Sequence, residues 1–280
     1  MVYFCTVKPE YITKTFLHSF ISSALAEDVG DGDHSTLASI PENAVSKAHL
    51  LVKDAGVLAG VGMALEIFSF LDPGLQVTVH LQDGSLVKPG DIVFTVSGSA
   101  RSILTGERLI LNCMQRMSGI ASLTRKLSGL IEGTGARLLD TRKTTPNFRH
   151  LEKWAVVIGG GSNHRMGLYD MVMLKDNHVD MAGGISEAIQ RTKDYLRANK
   201  KDLRIEIETR NLEEVKQVLE TGGVDMIMLD NMDLASLREA VRLINGRYRT
   251  EASGGVTEST IREIAMCGVD YISVGALTHS

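Results

Sequence analysis

Basic side chains follow a short apolar run in "LLDTRKTTPNFRH", which extends from Leu138 to His150. Arg142, Lys143 and Arg149 gather positive charge there, in a chain whose formal net charge is −4. Arginine forks pair with carboxylates and phosphates, and a lysine ammonium neutralises the same groups as a point charge. The segment therefore predicts a binding site for an anion that carries several charges.

Other apolar runs of the second half also end in polar residues or glycines. The ends are basic first, acidic in the middle and glycine-rich last. In chain order they supply His164 and Arg165 in "GSNHRMG", after a helical stretch, then Lys175, Glu206 and Glu208, Asp230, Glu251, Ser253, Gly254 and Gly255, and finally Gly275 with His279.

These three zones suit three chemical groups. Arg142, Lys143, Arg165 and Lys175 could hold a polyanion. Carboxylates such as those of the middle zone bind a hard divalent cation or sugar hydroxyls. Backbone N–H groups in "SGG" and "VGAL" fall where late loops of a β/α barrel bind phosphate. Together the zones predict a polyanion, a magnesium ion and a ribose phosphate.

Each feature also has a structural interpretation. A single loop arginine or lysine is more often a solvated surface charge, and "ASGGV" alone is as readily a strand-to-helix turn. Glu206 could pair with a base on a neighbouring strand. "GDGDHS", from Gly30 to Ser35, lacks the spacing of a calcium loop, so we expect a turn and a helix cap there.

The elements that carry the polar ends alternate between strands and helices. The strand-like runs are "RLLD", "DMVMLKDNH", "LRIEIET", "VDMIMLDN", "YRTEASGG" and "YISVGAL". Between them, "NLEEVKQVLETGG", "DLASLREAVRLING" and "TESTIREIAMCG" have helical periodicity with capping residues. Six such units, each delivering polar residues at the carboxyl end of its strand, favour a closed or nearly closed β/α barrel, which gathers those ends around one mouth, over a doubly wound open sheet.

The first part of the chain has a different pattern. Residues 10–27 and 61–71 are expected to be helical, and "AHLLV", "LQVTVHL" and "DIVFTVSG" read as strands joined by turns. The fold class is therefore α/β, with an N-terminal sandwich-like α+β domain over residues 1–110 and a barrel domain over residues 111–280. A long helix over residues 106–132 is predicted to lead into the barrel.

Composition limits the classes of function. The chain has 280 residues, 44% of them apolar and 23% charged, and its acidic balance argues against a general nucleic-acid binder. Three widely spaced cysteines, Cys5, Cys113 and Cys267, indicate reduced thiols in a cytoplasmic protein. We expect no secretory signal and no membrane span, because neither pattern occurs in the sequence.

The motifs together resemble the quinolinate phosphoribosyltransferase family, the carboxylating nicotinate-nucleotide pyrophosphorylases. They are "EDVGDGD", "GERLILN", "SGIAS", "TRKTTPNFR", "NHRMGLYD", "LKDNH", "LDN", "EASGGV" and "SVGALTHS", and they cover almost the whole chain in order. The resemblance implies a homodimer, with or without further assembly, of an N-terminal α/β domain and an incomplete barrel. It also implies a reaction of quinolinate with phosphoribosyl pyrophosphate, with magnesium, that gives nicotinate mononucleotide, pyrophosphate and carbon dioxide.

The same resemblance assigns the site. It implies that Arg142, His164, Arg165 and Lys175 bind quinolinate, with Arg108 supplied by the neighbouring subunit. It places Lys143 and Lys175 near the pyrophosphate, and Glu208 and Asp230 at the ribose hydroxyls and magnesium. Ser253, Gly254, Gly255 and Gly275 match the cradle of the 5′-phosphate, with His279 close by. Members of the family continue beyond the "THS" at which this chain stops, so His279 is expected near a free terminus.

Three other functions fit parts of the pattern. Lys175 could serve as the Schiff-base nucleophile of a barrel aldolase or decarboxylase, although the sequence offers no apolar pocket around it. A related phosphoribosyltransferase-like protein of molybdate-transport operons would share the fold with another substrate. The third alternative is a non-catalytic relative that binds a metabolite. The presence of all the acidic and basic residues of the predicted site argues against it.

Overall fold

The structure, a computed structural model, describes residues 8–279, so Cys5 lies outside the described part. The first elements are α1 (Lys14–Val29), α2 (His34–Ser39), β1 (Val45–Leu51), β2 (Gly56–Val57), α3 (Val61–Leu71), β3 (Gln76–Val79), β4 (Leu86–Val87), β5 (Ile92–Ser99) and α4 (Ala100–Leu130). The elements that follow are β6 (Arg137–Leu139), α5 (Arg149–Ile158), β7 (Val172–Leu174), α6 (Asp176–Ala182), α7 (Ile185–Ala198), β8 (Ile205–Thr209), α8 (Leu212–Thr221), β9 (Met226–Asp230), α9 (Leu234–Ile244), β10 (Arg249–Ser253), α10 (Ile261–Ala265), β11 (Tyr271–Ser273) and α11 (Ala276–His279).

The described residues form two compact units. One contains the chain up to Arg125 together with Pro146–Gly160, and the other contains Lys126–Thr145 and the chain from Gly161 onward. The predicted division between residues 110 and 111 falls inside α4, a continuous helix of 31 residues. Helix α5 belongs to the first unit although it lies between two strands of the second in sequence.

The first unit contains the antiparallel elements that the sequence predicts. Strand β5 pairs with β1 on one side and β3 on the other, both antiparallel, and β2 pairs with β4. The buried Asp83 carboxylate accepts the N–H groups of Val61 at 2.8 Å and Gly62 at 3.1 Å, at the start of α3. Asp33 caps α2 through the Thr36 N–H at 3.1 Å, so the expected cap in "GDGDHS" is confirmed.

The second unit contains a parallel sheet of six strands in the order β6-β11-β10-β9-β8-β7, the incomplete barrel expected from the sequence. Helices α8 and α9 begin where the capping residues predict, whereas α10, expected to begin after Thr257, begins at Ile261 without a side-chain cap. Asn211 accepts the Glu214 N–H at 3.0 Å at the start of α8, and Asp233 accepts the Ser236 N–H at 2.7 Å at the start of α9.

Strand alternation gives the barrel interior its charged residues. Every second residue of a strand faces the same side, so Glu206 shares its face with Glu208, and Arg249 shares its face with Glu251 and Ser253. The parallel register places Glu208 and Glu251 on either side of Met228. Strands β8 and β10 therefore each bring one polar residue to the carboxyl edge, Glu208 or Ser253, and one fully buried glutamate, Glu206 or Glu251, into the interior.

Candidate active site

Opposite charges meet at the carboxyl edge of strands β7 and β8. Lys175, directly after β7, places Nζ 3.2 Å from Oε2 of Glu208 on β8. Half of the lysine side chain is exposed, whereas only 8% of the Glu208 side chain is. On the next strand, Asp230 stands in register with Ser253 of β10, and its Oδ2 accepts the Asn231 amide at 2.6 Å. The edge thus presents two carboxylates from adjacent strands beside a cation.

A second group of residues gathers where β6 and β11 end. A Cβ on Gly275 would lie 3.0 Å from the His279 ring and 3.1 Å from Cδ of Lys143, so all three residues are close together. The Thr278 hydroxyl donates to the backbone carbonyl of Lys143 at 2.7 Å and links the two strand ends. Exposed Lys143 and the glycine backbone at Gly275 form a recess of the kind that accepts phosphate.

Glycine is required at the end of β10. Gly254 has φ +89°, and a Cβ there would collide with the Asn231 amide that follows β9. Gly255 also has positive φ, at +60°. L side chains rarely adopt this backbone, and the missing Cβ of Gly254 lets the ends of β9 and β10 approach each other closely. "ASGGV" is therefore more than an ordinary turn.

Two aspartates hold the segment that carries His164 and Arg165. The fully buried Asp140, directly after β6, accepts the His164 N–H at 2.9 Å and the Asn163 amide at 2.6 Å. Asp170 accepts the N–H groups of Met166 at 2.7 Å and Gly167 at 2.8 Å. These carboxylates accept backbone N–H groups that would otherwise bond within a helix or sheet, so they hold the segment in place without regular secondary structure.

Arg165 is the most buried arginine of the candidate site. It is 9% exposed, and its guanidinium donates to the Met171 carbonyl at 3.1 Å and to Sδ of Met173 at 3.6 Å. Burial lowers its pKa, and the charge of Arg142 lowers it further. Because the charge of Arg142 acts on Arg165, the two cations together favour an anionic ligand.

His164 lies beneath this surface between two buried glutamates. Its Nε2 is 2.9 Å from Oε2 of Glu206 and 3.2 Å from Oε2 of Glu251, and neither glutamate is exposed. Burial and the nearby charge of Glu251 raise the pKa of Glu206 to about 7. The base that pairs with Glu206 is therefore His164, on the segment after β6, and not a residue of a neighbouring strand.

The cluster of His164, Glu206 and Glu251 has three candidate ligand atoms for a metal ion within 4.8 Å of one another. The hydrogen bond at the other ring nitrogen opposes this use, because Nδ1 accepts the Arg165 N–H at 2.7 Å. A ring that accepts at Nδ1 carries a proton on Nε2. Burial lowers the pKa of His164, but the hydrogen bonds to Glu206 and Glu251 outweigh it and raise the pKa to about 9, which also favours a proton on the nitrogen that faces the carboxylates. That nitrogen is then a donor to the carboxylates and not a metal ligand.

Glu208 and Asp230 suit magnesium better. They offer carboxylate oxygens from adjacent strands at the open edge, and Mg²⁺ commonly takes one or two carboxylates together with substrate phosphates. Glu208 already holds one cation, the Lys175 ammonium, at 3.2 Å. The residues present therefore fit the metal that the sequence predicts.

The predicted site residues of the barrel lie at the carboxyl ends of its strands or on the segment after β6. The contacts join Lys175 with Glu208, Asp230 with Ser253, and Lys143 with Gly275 and His279. Arg108 belongs to the other unit, where it is exposed on α4, so its role stays a prediction.

Sequence reasoning missed the supports of the site, namely Asp140, Asp170 and the contact of Glu251 with His164. Only one signal pointed to them. Glu251 lies two residues before Ser253 on the same strand face, so strand alternation could have directed it into the interior.

No helix within residues 8–279 has both the length and the apolar character to cross a membrane.

Comparison with known proteins covers the chain almost completely. Residues 33–118 match the N-terminal domain of quinolinate phosphoribosyl transferase, and residues 120–280 match its C-terminal domain. A Nicotiana glauca protein named quinolinate phosphoribosyltransferase [decarboxylating] 2, mitochondrial, is 47% identical over 98% of this chain and 82% of its own. A Bacillus subtilis probable nicotinate-nucleotide pyrophosphorylase [carboxylating] is 38% identical over 94% of this chain and 90% of its own. The crystal structure of NadC from Streptococcus pyogenes superposes with a TM-score of 0.90 at 39% identity, covering 96% and 93% of the two chains.

Proposed function

The chain belongs to the quinolinate phosphoribosyltransferase family, and we propose that its barrel mouth converts quinolinate and phosphoribosyl pyrophosphate into nicotinate mononucleotide, pyrophosphate and carbon dioxide. The observation that carries the proposal is the division of the mouth into a basic part, a carboxylate pair and a glycine-rich recess. Each part matches one portion of the two substrates.

Quinolinate, a pyridine with two adjacent carboxylates, belongs at the basic part. Arg165 and Arg142 bind its carboxylates, with His164 beneath them and Lys175 at the edge. The partly buried guanidinium of Arg165 is held from behind by Met171, so its free N–H groups are preorganised for the ligand. Arg108 of a second copy of the chain completes this part in a homodimer.

The sugar and its phosphates belong to the other two parts. Glu208 and Asp230 bind the ribose hydroxyls and Mg²⁺, which when bound helps to neutralise the charge of the pyrophosphate. Ser253, Gly254, Gly255 and Gly275 surround the 5′-phosphate with backbone N–H groups, and His279 and Lys143 lie beside it.

The chain's residues promote the reaction through charge and position. The pyridine nitrogen forms a bond to C1 of the ribose while the bond from C1 to the pyrophosphate oxygen breaks. Lys143 and Lys175 stabilise the negative charge that grows on the leaving group, and Glu208 and Asp230 favour the positive charge on the sugar. Alignment of the two reactants removes several kcal/mol of encounter entropy, about 7 kcal/mol or more in well-oriented cases.

Loss of carbon dioxide follows from the cationic nitrogen. The bond between C2 and the carboxylate breaks, its electron pair stays on C2 beside the positive nitrogen, and a proton from solvent then completes nicotinate mononucleotide. This step depends on the intermediate more than on any one side chain.

Lys175 has surroundings unlike those of a Schiff-base lysine. Its side chain is half exposed and lies 3.2 Å from a carboxylate, whereas an imine-forming lysine needs an apolar pocket or a neighbouring cation. Borohydride with a carbonyl substrate is therefore expected to leave the protein unlabelled.

We also place the protein in the cytoplasm. The described cysteines, Cys113 and Cys267, are buried free thiols, as is typical of a reducing compartment. Two plant relatives are named mitochondrial and chloroplastic. Fractionation of cells that express the full native sequence separates these locations, and recovery in an organelle would refute the assignment.

The decisive assay measures three products together. Purified protein with quinolinate labelled in the 2-carboxylate, phosphoribosyl pyrophosphate and Mg²⁺ should release labelled carbon dioxide, pyrophosphate and nicotinate mononucleotide in equal amounts. The Lys143→Ala variant is the matched negative control. Product formation that does not depend on quinolinate, or pyrophosphate release without carbon dioxide, would contradict the proposal.

A further inference from the structure

The barrel has a second opening at the amino ends of its strands, opposite the mouth. A cavity of about 260 Å³ is lined there by the first residues of five strands, by Arg204 just before β8, and by the segment after β6. The first residues of those strands are Arg137, Ile205, Met226, Arg249 and Tyr271. None of them belongs to the site described above.

Strand alternation explains why three arginines surround this opening. Arg204 precedes Glu206 by two residues, and Arg249 precedes Glu251 by two, so each arginine lies on the inward face of its strand. Arg137 stands in register with Tyr271 of β11 and also lines the cavity. The interior is thus basic at the amino edge and acidic one layer above it.

The charges of the opening do not cancel. Arg249 forms an ion pair with Asp270, with Nη1 2.5 Å from Oδ1. Within the described residues, neither Arg137 nor Arg204 makes an ion pair or a side-chain hydrogen bond. The one carboxylate of the lining, Asp225, accepts the Ile205 N–H at 2.7 Å. Two unpaired guanidinium groups at a concave opening attract an anion, because low-dielectric walls focus their field.

The walls of the cavity are suited to a flat apolar body. Met171 and Met226 are buried thioethers, and Tyr271 adds an aromatic ring. Methionine packs well against aromatic ligands, and guanidinium groups bind a carboxylate or phosphate with two N–H groups at once. The volume is below the range of drug-sized pockets, so a ligand of one ring and one anionic group fits it.

We propose that this opening, lined by Arg137, Arg204 and Tyr271, is a second binding site for a small aromatic anion, either a carboxylate or a phosphomonoester. It opens at the amino ends of the strands, opposite the mouth. Its deep end, however, is formed by His164 and Arg165, which the proposed function assigns to quinolinate. Because the two sites share these residues, occupation of one changes the affinity of the other by the same factor in both directions.

The test is calorimetric titration of the full-length protein with phenyl phosphate and, in a second arm, with benzoate. The Lys143→Ala variant weakens phosphate binding at the mouth, and the Arg137→Ala/Arg204→Ala variant removes the two free cations of the opening. Arg197→Ala is the matched control, because Arg197 is an exposed arginine of α7 that pairs with Asp194 and does not line the cavity.

We expect one of the two probes to bind Lys143→Ala and Arg197→Ala protein with the same affinity at the opening. Affinity there should fall at least about tenfold in Arg137→Ala/Arg204→Ala, as for loss of a charge-assisted contact. The better probe tells whether the ligand is a carboxylate or a phosphomonoester. A crystal structure with that probe should show it against Tyr271.

Equal binding to the wild type and to the double arginine variant would overturn the proposal, as would density for the probe at the mouth alone. Binding is measured without turnover, so failure here is distinct from failure of the proposed reaction. Arg204→Gln with Arg137→Gln repeats the test if the alanine variant does not fold, as judged by circular dichroism.

Discussion

Truncation of Arg142 or Arg165 tests how the enzyme distinguishes quinolinate from nicotinate, which lacks the 2-carboxylate. Both acids give nicotinate mononucleotide with phosphoribosyl pyrophosphate, so one chromatographic assay follows both reactions. We expect the wild type to favour quinolinate strongly. One of the two arginines binds the 2-carboxylate and therefore rejects the monoacid. The variant that lacks this guanidinium, either Arg142→Ala or Arg165→Ala, should favour quinolinate less.

The magnitude follows from the surroundings of Arg165. The side chain is only 9% exposed, and burial together with Arg142 already lowers its pKa, so water compensates little for a missing carboxylate. Leaving one member of a buried charge pair without its partner costs about 2–5 kcal/mol, which corresponds to roughly a 30- to 5000-fold difference in kcat/KM between the two acids.

The two variants also show which arginine binds the 2-carboxylate. Alanine in place of the arginine that binds the 2-carboxylate should lower kcat/KM for quinolinate by the whole 30- to 5000-fold factor, roughly as estimated above. It should leave kcat/KM for nicotinate within about tenfold of the wild type. Arg197→Ala, at an exposed ion pair, should change neither value. Comparable turnover of both acids by the wild type, or an unchanged preference in both variants, would refute the reasoning.

Four further predictions concern the metal, the dimer, the interior and the packing. Glu208→Gln and Asp230→Asn should each raise the Mg²⁺ concentration for half-maximal turnover roughly tenfold or more, and chelation should abolish turnover of the wild type; unchanged Mg²⁺ titrations would exclude these ligands. Co-expression of Arg108→Ala with Lys143→Ala should restore about a quarter of wild-type activity through mixed dimers with one intact site, whereas no recovery would place Arg108 in its own subunit's site or outside the site. Burial raises the Glu206 pKa from 4.5 to about 7, so the unfolded chain ionises first as pH rises and the native state loses stability over that interval. The free energy of unfolding in urea of Glu206→Gln, relative to that of the wild type, should therefore rise by roughly 1–3 kcal/mol between pH 4.5 and 7. A difference that does not change with pH would mean that Glu206 is ionised throughout. Gly159→Ala should destabilise the fold by about 1–3 kcal/mol, because its Cβ would lie 2.5 Å from the Ala121 carbonyl oxygen, whereas Gly119→Ala, at an exposed position of α4, meets no atom within 4 Å and should have no such cost in a thermal melt.

Much of the barrel could be predicted because its signals are local. Apolar runs that end in Lys175, Glu208 or Asp230 identify the carboxyl ends of strands, and Asn211 and Asp233 mark the helix starts with single side-chain hydrogen bonds. Parallel topology then brings the strand ends together without further information.

The supports of the site depend on contacts between distant residues, which a local pattern does not contain. Asp140 resembles any aspartate after a strand until the structure shows it accepting N–H groups from residues 23 and 24 positions later. The arginines at the amino edge were overlooked for another reason. Binding sites of a β/α barrel lie at the carboxyl ends of its strands, whereas Arg137, Arg204 and Arg249 precede or begin theirs.

The ion pair between Lys175 and Glu208 has a consequence for the resting enzyme. With no substrate present, the ammonium and the carboxylate serve as each other's counterions, so neither has to recruit an ion from solution. In the proposed reaction, the pyrophosphate group of phosphoribosyl pyrophosphate would replace the carboxylate beside Lys175, and Mg²⁺ would replace the ammonium beside Glu208. Charge balance would then be kept during the exchange, and the original pair would form again once the product has left.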